Sequence, residues 1–172
     1  LSWNRNQVLR DPRFFLLLPG ITAPSMIATA FFFHHLNLAE AKRWDVGWVT
    51  GNYVIYAVTC VFAFLIAGAM VDRYRAKQVV QFMLIPVVMA SLTIGIVEHY
   101  LWVVPYMLLL GLHIGFAHTS INAIWAELYG VAHLGSIRSM HAALSVLFSA
   151  FGPVIIGILV DLGVPIEDTW LL

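Results

Sequence analysis

The chain has 172 residues, nine Lys+Arg balanced by nine Asp+Glu, and a formal net charge of zero. Apolar residues make up 61% and charged residues 10%, with a mean hydropathy of +0.87; soluble domains carry roughly a quarter charged residues, so most of this surface must be covered by lipid. Without a clustered excess of Lys and Arg, nucleic acid is excluded as a partner.

The segment before Arg13 contains no apolar stretch of the kind a secretory signal needs, and the chain begins with Leu1, so its start reads as a cut end. Five charge-free stretches follow: span A at 14–39, B at 46–71, C at 78–97, D at 99–126 and E at 139–160. A bilayer core needs about 20 apolar residues as helix. In lipid every backbone amide must be satisfied internally, whereas barrel strands would be half as long and would alternate. The expected architecture is therefore all-α, a polytopic bundle of five transmembrane helices at about 14–36, 46–71, 78–97, 101–129 and 136–161.

Span A contains Pro19, Gly20 and Pro24, which predict a broken helix, and carries Thr22, Ser25, Met26 and Thr29 on one face. His34 and His35 at its far end lack the spacing of a metal box and read as surface histidines. Span B offers Asn52, Tyr56 and Thr59 on one face, with Cys60 read as packing. In span D, Gly111, Gly115, His118, Asn122 and Trp125 follow at helical steps, beginning as a Gly-x-x-x-Gly packing notch and turning polar. His113 lies on another face, with Ser120. Span E carries His141, Ser145 and Phe148 leading to Gly152. Trp44, Trp48, Tyr100 and Trp102 sit at span ends, where aromatic residues anchor helices at the interface.

Basic residues accumulate on the cytoplasmic side of short loops. Arg5, Arg10, Arg13, Arg73, Arg75, Lys77 and Arg138 fall on one side, and only Lys42 and Arg43 on the other, seven against two. The start is expected to be cytoplasmic and the end extracytoplasmic, in a cell membrane. The chain turns apolar again at Trp170, Leu171 and Leu172, so a sixth span is expected to be missing.

Span B ends Gly68-Ala69-Met70-Val71-Asp72 and span E ends Gly157-Ile158-Leu159-Val160-Asp161, one pattern at opposite faces. Such a match fits two inverted three-helix units, the second lacking its last helix. The run Gly68-x-x-x-Asp72-Arg73-Tyr74-Arg75-Ala76-Lys77 resembles the signature loop of the major facilitator superfamily, with Arg75 where a Gly is usual and Ala76 where an Arg is usual. Leu9 to Phe14 resembles the approach to that family's seventh helix. Ala126 to Arg138, then Gly152-Pro153 and Gly157, resembles its tenth and eleventh. The resemblance implies the seventh to eleventh helices of a transporter whose amino-terminal half is absent. Phe31 to His35, followed by Leu38-Ala39-Glu40, is similar to bacterial members handling small organic anions such as monocarboxylates.

The substrate cavity is therefore expected to involve Ser25, Thr29, Asn52, Tyr56, His113, His118, Asn122, Trp125 and Ser145. A conformational latch is expected from Gly68, Asp72, Arg73, Arg75, Glu127 and Arg138. In it Gly68 allows close helix approach, Asp72 accepts from amides near Gly135 and Ser136, and Glu127 pairs with Arg73 or Arg75. From the residues alone, ordinary interfacial charges remain the other reading of that cluster. His113 and His118 are read either as proton carriers or as neutral helix-to-helix hydrogen bonds.

The function expected is secondary active transport of a small solute by alternating access, driven by an ion or solute gradient. Its partners are the lipid bilayer, a small-molecule substrate and the other half of the transporter. Catalysis, metal and cofactor are not expected. The alternatives are a membrane enzyme using the seven histidines as metal or haem ligands, and a non-transporting membrane receptor.

Overall fold

The computed structural model describes residues 2–171. Leu1 and Leu172, on which the expected cut ends rest, lie outside the described residues. Five helices are long and apolar enough to cross a membrane, spanning Pro12–Ala41, Val46–Tyr74, Ala76–Ile96, Tyr100–Tyr129 and Leu134–Asp161. In chain order the elements are α1 (Arg5–Val8), α2 (Pro12–Ala41), α3 (Val46–Gly51), α4 (Tyr53–Tyr74), α5 (Ala76–Val79), α6 (Ile85–Ile96), α7 (Val103–Tyr129), α8 (Leu134–Ser149) and α9 (Phe151–Asp161). Span A is α2, B is α3 with α4, C is α5 with α6, D is α7 and E is α8 with α9.

Helix α2 starts where Asp11 accepts the amide of Arg13 at 3.0 Å and Pro12 supplies a preset φ at the first helical position. Contrary to the break expected at Pro19 and Pro24, α2 runs through both without interruption for 30 residues. Thr22 Oγ1 donates back to Leu18 O at 2.8 Å, a bond within its own helix. The interruptions lie elsewhere. Span B breaks at Asn52, whose side chain donates to Trp48 O at 2.7 Å. Span C passes through a 3-10 turn at Val80–Phe82 before Pro86, which lacks an amide hydrogen. Span E breaks at Ala150, three residues before Pro153.

The helices meet where glycines remove side chains. A Cβ on Gly111 would strike the backbone of Tyr56 and the side chain of Thr59, and one on Gly115 would strike Ala63, so α7 lies directly on α4. Gly152 likewise seats α9 on Met26 and Ala30 of α2. Gly68 and Gly157 face open space. The close approach expected at Gly68 is therefore made by the α7 glycines instead.

At the end opposite Arg73, Arg75 and Arg138, the connectors are tied together. Lys42, its side chain only 1% exposed, donates to Val97 O at 3.1 Å and to Glu98 Oε1 at 3.2 Å, while Trp44 Nε1 donates to Glu98 O at 2.7 Å. Trp48 Nε1 donates to Tyr100 O at 3.1 Å. Trp44 is thus a buried tie, whereas Trp48, Tyr100 and Trp102 stay exposed as interfacial residues would. The tail folds back, and Trp170 stacks on Phe31 at 4.1 Å.

The two histidines expected at the surface are buried. His34 Nε2 donates to Pro153 O at 3.0 Å, and His35 Nδ1 shares a 2.7 Å hydrogen bond with Tyr53 Oη. Each joins α2 to another span, because an imidazole inside an apolar bundle needs a polar partner.

Candidate functional site

Spans A, B, D and E converge on a cavity of about 750 Å³. Its wall brings together six of the nine residues expected there: Ser25 and Thr29 from α2, Tyr56 from α4, His118 and Asn122 from α7, and Ser145 from α8. Ile21, Ala28, Ile114, Ala117 and Ile121 supply its apolar surface. The chamber extends along the α8 half of span E from Arg138 to Ser149.

The other three turn away. His113 is fully buried, and its Nδ1 donates to Met83 O at 2.8 Å, within the irregular stretch of span C. It pins span D to a carbonyl that the helical break leaves without a regular partner. Trp125 is fully buried against Phe14, Tyr129 and His141. Asn52 is engaged in the span B break already described.

Two ionisable side chains on the wall were not among the cavity candidates. His141, noted on the span E stripe, lies with Nε2 3.1 Å from Ser145 Oγ and 3.5 Å from Ile21 O. Arg138, expected in the latch, lines the cavity and donates from Nη2 to Asn122 O at 2.8 Å. Its place one helical turn before His141 was the available signal. Several hydroxyls are already engaged: Thr29 donates to Ser25 O at 2.8 Å, Ser139 to Ser136 O at 3.1 Å and Ser149 to Val146 O at 2.7 Å. Among the described residues no three His, Cys, Asp or Glu side chains come together as a metal site.

The sequence profile of the Major Facilitator Superfamily matches residues 2–164. The chain belongs to the major facilitator superfamily. No curated protein and no solved structure gives a significant match. Membership places it among membrane transporters of small solutes, with its five long apolar helices as the membrane-spanning part.

In this major facilitator superfamily chain, the loop joining spans B and C takes a conformation its sequence does not favour. Arg75, at the position where the signature usually has Gly, has φ 68° and ψ 148°. Glu127 accepts the amide of Lys77 at 3.3 Å and lies 3.9 Å from its ammonium, in place of the expected pairing with Arg73 or Arg75. Arg73 lies over the ring of Tyr74 at 5.2 Å. Asp72 is exposed, and among the described residues it has no hydrogen-bond or ion-pair partner, so its expected contact near Gly135 and Ser136 is not made in this conformation. The exposed loop is well placed for water to solvate its charges instead.

Proposed function

We propose that this chain is the substrate-binding wall of a secondary active transporter that works by alternating access, taking a small organic anion. The observation that carries the reading is the chamber itself: four spans surround about 750 Å³ lined by an apolar surface and a few polar groups, the composition of a small-molecule site. In this reading a second set of helices completes the chamber, and the two rock about the bound solute. The end bearing Arg73, Arg75 and Arg138 faces the cytoplasm, in keeping with its basic connectors. Energy comes from a solute or ion gradient. His118 and His141, both on the chamber wall, are the proton-carrying candidates if the ion is a proton.

The loop residues Asp72, Arg73, Arg75 and Glu127 form the latch of the alternate access state, with the observed Lys77 contact to Glu127 as the exchangeable arrangement. Resemblance to organic-anion carriers supports the substrate class. The experiment is solute counterflow in proteoliposomes carrying the complete transporter. Exchange of labelled small carboxylates is expected, slowed by Asp72→Asn with normal yield of folded protein. Ligand binding without any exchange would instead support the receptor reading. An unchanged rate in the Asp72 variant would remove the latch.

A further inference from the structure

The structure assigns to Arg138 a role as the carboxylate-binding residue of the chamber, a proposal that rests on the transport reading and names how its substrate is held. Among the residues lining the chamber, Arg138 carries the only fixed charge, and neither Asp nor Glu is present there. The remaining polar wall groups are hydroxyls, the Asn122 amide and the imidazoles of His118 and His141. A guanidinium has five N–H donors in a rigid fork. One nitrogen of Arg138 is engaged, by the Asn122 carbonyl at 2.8 Å, and no ion-pair partner for it occurs among the described residues. Glu127, the acidic residue at the end of the same α7, is engaged by Lys77.

The bond to Asn122 O orients the fork. It joins the first half of α8 to α7 at the chamber wall, so the position of the cation is set by two helices rather than left to a free side chain. Arg138 is exposed where it lines the chamber, and a cation without a counter-charge at a cleft with apolar walls draws anions toward it. A carboxylate is the planar, bidentate partner that fits the fork. Lysine at this position would keep the charge and lose that geometry.

The test uses the complete transporter, reconstituted, with two matched pairs as probes: lactate against lactamide and succinate against succinamide. Binding is read as protection against thermal unfolding in detergent, and transport as counterflow in proteoliposomes. The parent is expected to recognise at least one acid and to ignore the corresponding amide. Arg138→Gln should raise the KM for that acid by about ten- to a hundredfold, and Arg138→Lys should recover part of the loss. Unliganded thermal unfolding of both variants checks that they fold.

Equal handling of acid and amide by the parent would overturn the assignment. So would an unchanged KM in Arg138→Gln, and if that variant altered only the exchange rate, Arg138 would belong to the latch. Exchange of some other solute by a parent that carries neither acid leaves transport standing and removes the Arg138 proposal. A parent that exchanges no solute at all counts against the transport reading itself.

Discussion

At Arg75 the backbone and the side chain disagree. A φ of 68° with ψ of 148° is a region suited to glycine, and occupying it costs another residue on the order of 1–3 kcal/mol. The family signature usually has Gly there, so Arg75→Gly should raise stability by about 1 kcal/mol after the extra freedom that glycine brings to the unfolded chain. Thermal unfolding of the purified protein in detergent reads this as a higher Tm, and an equal or lower Tm would refute the strain. Such a backbone requirement was visible in the sequence only as a departure from a pattern. Side-chain destinations were legible to a similar degree. Helical spacing grouped His118 with Asn122 correctly, but it also grouped Trp125 with them, and Trp125 is buried against Phe14 and Tyr129. Residue spacing defines a face to within some tens of degrees, while the neighbour met by each part of that face depends on packing between distant spans.

The pairing of spans rests on small residues whose positions the sequence displayed without their partners. Gly115 and Gly68 are both helical glycines, yet an added Cβ would strike Ala63 and the Phe64 amide nitrogen at Gly115 and would meet open space at Gly68. Gly115→Ala should therefore destabilise the fold by about 1–3 kcal/mol through forced separation of α7 from α4. Gly68→Ala should leave stability unchanged or slightly improved. Parallel thermal unfolding of the two variants is the check, and the reverse order would show that the α4 and α7 contact is not the tight one. The breaks within elements were only partly legible. Pro19 and Pro24 suggested a break in span A that α2 does not show, while span E is interrupted at Ala150, before Pro153, whose carbonyl accepts from His34. A proline inside a helix removes one hydrogen bond; whether the helix parts there depends on what replaces it.

For the molecule as a whole, charge placement carried most of the information. Marking Asp, Glu, Lys and Arg was enough to delimit five spans, because a charge within lipid is costly and the connectors are where charges can be solvated. The same distribution predicts topology. In a Cys60→Ser background, cysteines introduced as Arg75→Cys and Arg138→Cys should react with an impermeant thiol reagent from one side, and Arg43→Cys from the other. Labelling of positions 75 and 138 from opposite sides would dismantle the bundle's orientation and the transport reading with it. The proposed conformational cycle was not legible, since the latch it needs would consist of contacts that exist in one state and not in another. Here Lys77 holds Glu127 while Asp72 stays exposed.

The hydroxyls around the chamber also restrict what can lodge there. Away from Arg138, Thr29 and Ser149 direct their hydrogens to carbonyls of their own helices, so each turns only lone pairs toward a guest. A molecule whose far end bears an O–H or N–H can satisfy those oxygens, whereas one with bare acceptors at that end would meet like with like and be turned away.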